Sequence, residues 1–142
     1  MINRRLVEGR LVLLHSYLQA LERLAGVPRA AFLADETKTG AAESYLRRAL
    51  ETVFDIGRHL LAKQGAVDLA AECKSIARGL GEKGIVSSEL AEKLVPMAGY
   101  RNRLVHLYHL VTDEELYDII TKDLGDLRCF AHQVQQFLER QS

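Results

Sequence analysis

Residues 42–60 read AESYLRRALETVFDIGRHL, and apolar side chains recur in them at Ala42, Leu46, Ala49, Val53, Ile56 and Leu60. The steps alternate between four and three residues. That spacing lays all six on one stripe of an α-helix and predicts a long helix buried along one face. Gly65 closes it. Upstream, Val7, Leu11, Leu14, Leu18, Leu21 and Ala25 keep the same rhythm, and Gly26 ends the segment. Pro28 starts a short turn of helix through Phe32 and Leu33, and the polar run 35–40 reads as a connection. Two helices with matching stripes and a short link predict neighbours in a left-handed bundle.

The pattern continues downstream. Asp68 is expected to cap a shorter helix reaching about Leu80, broken by glycines at 79, 81 and 84. Ser87 or Ser88 caps the next helix, whose stripe runs Leu90, Leu94, Met97, Arg101, Leu104, Tyr108, with Pro96 inside it as an expected bend. Thr112-Asp113-Glu114-Glu115 is a capping box. It opens a last helix striped by Leu116, Ile120, Asp123, Leu127, Phe130, Val134 and Phe137, with Gly125 weakening its middle. No segment has the two-residue period of a strand. The expectation is one all-α domain over 1–142, a four- to five-helix up-and-down bundle.

Composition narrows the function. Lys+Arg and Asp+Glu both number 19, for a formal net charge of zero. This argues against coating nucleic acid by broad electrostatics, while leaving room for a small basic pocket that handles one phosphate. A neutral surface opposes self-association weakly. Cys73 and Cys129 stand apart, with no metal-ligand spacing, and read as buried or half-buried thiols of a reducing compartment. The start, Met1-Ile2-Asn3-Arg4-Arg5, lacks the apolar run of a signal peptide, and no segment approaches the ~20 apolar residues of a membrane span. A cytoplasmic protein is expected.

One position breaks the stripes. Arg101 falls where the helix should be apolar, and a charge facing a core is costly unless paired or hydrated. Tyr108, seven residues on, shares nearly the same face, while Asn102 and His106, four apart, share the adjacent one. Groups able to bind phosphate or move protons thus gather within about two turns. Asp123 is a candidate ion-pair partner for Arg101, and Asp55 with His59 reads as a surface pair.

The stretch Tyr100-Arg101-Asn102-Arg103-Leu104-Val105-His106-Leu107-Tyr108 resembles the signature of the HEPN superfamily, in which Arg and a polar residue precede His by four to six residues. Closed by Tyr108, it has the Arg-x4-His-x-Tyr form and is similar to the HepT toxins. These are the ribonuclease half of toxin–antitoxin pairs whose other member is a minimal nucleotidyltransferase. The segment 49–60 resembles the family's second long helix, and the glycine-rich 79–84 is where this chain departs.

The resemblance implies a homodimeric, metal-independent endoribonuclease toxin of a type VII module, needing no cofactor. Arg101 and His106 would be catalytic, with Asn102 and Arg103 supporting them at the phosphate. Tyr108 would accept AMP from the nucleotidyltransferase antitoxin, which would silence the enzyme. On a straight helix Arg101 and His106 lie about 140° apart, so they converge poorly in one protomer, and a two-fold interface would bring them together from two chains. The alternative is a non-catalytic helical scaffold for a minimal nucleotidyltransferase, which has no need of Arg101 and His106 together. A third is a plain helical dimerisation protein.

Overall fold

The computed structural model describes residues 2–66, 72–106 and 110–141. Among these the chain forms helices and no strand. The order is α1 (Arg4–Ala25), α2 (Arg29–Leu33), α3 (Glu36–Lys63), α4 (Cys73–Glu82), α5 (Ser88–His106), α6 (Asp113–Lys122) and α7 (Leu124–Arg140). The expected all-α bundle is present. The number of helices among the described residues rises to seven. One reason is that the turn after Pro28 is a five-residue helix of its own. The other is that the last segment divides at Asp123, two residues ahead of Gly125, where two residues of low helix propensity sit close together.

The central helix is α3. Its stripe is buried as its spacing requires, with Ala42, Leu46, Ala49, Val53, Ile56 and Leu60 all 0% exposed. Each large side chain contributes about 1.5–3 kcal/mol by leaving water. The helix begins earlier than its polar start suggests. Asp35 caps it, its Oδ1 accepting from the backbone N–H of Thr37 at 2.9 Å and of Lys38 at 3.4 Å, so the run read as a connection is the helix's first turn. Polarity there reflects capping and exposure, except at Thr39, which is buried with its Oγ1 donating to the Glu36 carbonyl at 3.3 Å. The helix α1 packs along α3, α4 pairs closely with α5, and both α4 and α5 also touch α3.

Glycines set how closely α4 is held. A Cβ on Gly57 of α3 would meet Ile76 Cγ2 of α4 at 2.6 Å, and one on Gly81 of α4 would meet Ala91 Cβ of α5 at 2.7 Å. Gly79 and Gly81 therefore lie within α4 and do not break it, contrary to expectation. Gly81 is there for a close helix crossing. Only Gly84, at φ +70°, makes the turn out of the helix. The proposed cap Asp68 lies outside the described residues. Ser87 caps α5, its Oγ accepting from Leu90 N–H at 3.2 Å, and Thr112 caps α6, its Oγ1 accepting from Glu115 N–H at 3.1 Å. Among the described residues no helix is long and apolar enough to cross a membrane.

The two kinds of glycine predict opposite outcomes. Gly57→Ala gains roughly 1 kcal/mol of helix propensity but overpacks the α3–α4 contact, a cost of about 1–3 kcal/mol, so it should lower the denaturation midpoint. Gly40→Ala, on the same helix with nothing within 4 Å of its would-be Cβ, should raise stability by about 0.5–1 kcal/mol. Urea titrations of the two variants check this, and equal shifts of the same sign would contradict it.

Candidate active site

The helix α5 carries the site because its other face is fixed. Leu90, Leu94, Met97, Ala98 and Leu104 are buried, which turns Arg101, Asn102, Arg103 and His106 toward one open cleft. The cleft has a volume of about 450 Å³ and is completed by Arg58 of α3 and by Glu72 and Cys73 at the start of α4.

Arg101 is half-buried. Its Nε is buried with no hydrogen-bond partner among the described residues, and its Nη1 donates to Asn102 Oδ1 at 3.1 Å. The candidate ion pair between Arg101 and Asp123 is not formed. Asp123 stands at the junction of α6 and α7, where burial and the neighbouring Asp126 push its carboxyl above the usual range. Among the described residues Arg101 has no acidic partner, whereas Arg29, Arg47 and Arg128 hold Asp118, Glu43 with Glu51, and Glu22 respectively. Asn102 directs its amide oxygen at Arg101, and not at His106.

His106 is exposed as the last residue of α5. It and Arg101 both line this cleft within one protomer.

Arg103 is held differently from Arg101. It makes a two-pronged ion pair with Glu115, at 2.6 and 2.7 Å, and donates to the Leu110 carbonyl at 2.7 Å. Its guanidinium in turn holds the Glu115 carboxyl below the usual range. Tyr108 lies outside the described residues. On α3 the expected Asp55–His59 pair is replaced by Asp55 with Arg58 at 3.0 Å and with Arg10 at 3.8 Å. His59 Nε2 accepts from the Asn3 N–H at 3.4 Å, and burial pulls its pKa down.

Sequence reasoning missed Arg58, Glu72 and Cys73. They come from other elements, and no spacing along α5 announces them. The available signal was Gly57, which lets α4 approach α3 and so brings Arg58 and Cys73 to one rim. Cys73 is buried as expected, and burial pushes its thiol pKa up against the opposing pull of Arg101 and Arg58. Cys129 is exposed, not half-buried. Chemically, the cleft offers cations for an anionic group, an imidazole at its edge and one carboxylate.

Comparison with known proteins identifies the fold and the family. The chain is similar to a tRNA nuclease HepT from Aphanizomenon flos-aquae, 26% identical over 133 residues, spanning 94% of this chain and 90% of that protein. The cytosolic protein of unknown function YutE from Bacillus subtilis has the same fold, with a TM-score of 0.81 at 19% identity, covering 99% of this chain and 93% of the other. So does a tri-AMPylated HEPN toxin of Shewanella oneidensis, solved in complex with an MNT antitoxin, with a TM-score of 0.80 at 19% identity and coverage of 96% and 99%. The family model described as ribonuclease HepT-like matches residues 14–134, and the chain belongs to that family.

Proposed function

We propose that this protein is a toxin that cuts RNA without a metal ion, using Arg101 and His106, and is neutralised by a nucleotidyltransferase antitoxin. The observation that carries the reading is the state of Arg101: half-buried, with a buried unpartnered Nε and no carboxylate, in a cleft shared with His106. A structural arginine at such a depth is ordinarily paired. One left open to an anion fits a phosphate. This also disfavours the scaffold reading, which gives the arrangement no use.

The chemistry follows from the residue types. The ribose 2′-oxygen attacks the adjacent phosphorus, the bond to the 5′-oxygen breaks, and the products are a 2′,3′-cyclic phosphate and a 5′-hydroxyl. A base takes the 2′ proton and an acid supplies one to the leaving oxygen. Imidazole, with an unperturbed pKa of about 6.5, suits either task. Arg101 stabilises the charge growing on the phosphate, and Asn102 holds Arg101 in place. Arg58, which lines the same cleft, adds positive charge along the path of the RNA. A homodimer across α5 would bring a second His106 to the same phosphate, dividing acid and base between protomers. The exposure of His106 at the helix end permits this. A strictly monomeric protein in sedimentation at micromolar concentration would exclude it.

The test is expression of the chain alone, as wild type, His106→Ala and Arg101→Met. Wild type should arrest growth and cleave RNA in EDTA, with both variants reduced at least ~100-fold. Arg101→Met should also be more stable by about 1 kcal/mol, because it removes an unpaired buried group, or roughly 2–8 °C in Tm. Activity lost on chelation and restored by Mg²⁺ would sink the metal-free mechanism, and a destabilised Arg101→Met would show that the arginine is structural.

Tyr108 is proposed as the acceptor of AMP. Its hydroxyl would attack the α-phosphate of ATP on the partner enzyme and release pyrophosphate. The attached phosphodiester would compete for Arg101, and its nucleoside would block the RNA path. The AMPylated state of the Shewanella toxin of like fold supports this. Incubation with a cognate nucleotidyltransferase and ATP should add AMP to wild type and abolish cleavage, while Tyr108→Phe stays unmodified and active. AMP found on another residue by mass spectrometry would overturn the assignment.

A further inference from the structure

Arg103 lies three residues before His106, on the last turn of α5. Its two Nη atoms grip both oxygens of Glu115, twelve residues further along the chain, and Nη2 also donates to the Leu110 carbonyl, seven residues along. Glu115 is itself fixed, since its backbone N–H donates to Thr112 Oγ1 at the start of α6. The fork therefore ties the end of α5 to the first turn of α6. The partners are 34% and 33% exposed, so both are partly shielded from water, and a bidentate arginine–carboxylate pair has a definite geometry. With a carboxylate across its fork and a carbonyl on Nη2, this guanidinium is neutralised and most of its donors are spent. In these respects it is the opposite of Arg101.

We infer that Arg103 is a positioning residue: acting through Glu115 and the Leu110 carbonyl, it holds the end of α5 so that His106 stays at the rim of the cleft. This replaces the phosphate contact expected for Arg103 from sequence. It rests on the reading that His106 performs the proton transfers. Catalytic groups tolerate little misplacement, and an error of about 1 Å can cost ~100-fold in rate.

Two variants separate the possibilities. Arg103→Lys keeps the charge and loses the two-pronged geometry, while Glu115→Gln keeps Arg103 and removes its anion. A positioning role predicts that each lowers kcat roughly tenfold or more with KM nearly unchanged, and that the Arg103→Glu/Glu115→Arg double exchange recovers part of the loss. If Arg103 held phosphate directly, Glu115→Gln would leave cleavage intact or raise it, and Arg103→Lys would mainly raise KM. Amide hydrogen exchange without RNA gives a second readout. Residues 104–106 should exchange faster in both single variants, while residues 46–60 of α3 do not change. Unchanged exchange at 104–106 overturns the inference whether or not the protein cuts RNA. Faster exchange in a protein whose wild type cuts no RNA supports the fork's ordering role and refutes the functional reading alone.

Discussion

The cleft exists because α4 is pinched between α3 and α5 at two positions that admit no side chain. Gly57 accepts Ile76, and Gly81 accepts Ala91. Only this close approach brings three elements to one rim: Arg58 from α3, Glu72 and Cys73 from the start of α4, and the polar face of α5. Everything else in the site is arranged on that frame. The apolar stripe of α5 sets which face looks outward, and the Ser87 cap fixes where the helix begins.

Within the frame, two arginines two residues apart are treated in opposite ways. Arg103 is satisfied by Glu115 and Leu110, and contributes rigidity. Arg101 is half-buried and keeps a polar atom without a partner, which costs stability of the order of 1–3 kcal/mol in general. Such a cost persists where the group has a use in the folded protein, and the use consistent with this cleft is an anion. The contrast distinguishes the arginine proposed to meet phosphate from the one inferred to position the end of α5 more clearly than either residue does alone.

Much of this was legible in the sequence. The four-three spacing on α1 and α3 located the core, since burial of one face leaves a periodic record. Arg101 on that record was visible as an exception, and the residues around it were sufficient to suggest the family. Other features were hidden for physical reasons. The pairing of Arg103 with Glu115 and the placement of Arg58 depend on contacts between elements, which leave no period along the chain. The first turn of α3 looked like a loop because capped, exposed helix starts are polar. Glycines 79 and 81 looked like breaks because a glycine that allows close packing and one that allows a turn are the same letter.

The central claim is that Arg101 and His106 direct the ribose 2′-oxygen against its own phosphate. The chemical ends of the cleaved RNA test this most directly. Fragments from the purified protein, separated and read by mass spectrometry, should carry 2′,3′-cyclic phosphate (or the monophosphate from its opening) upstream of the cut and a 5′-hydroxyl downstream. Fragments with a 3′-hydroxyl and a 5′-phosphate would mean that water, and not the ribose, is the nucleophile, and would contradict the account.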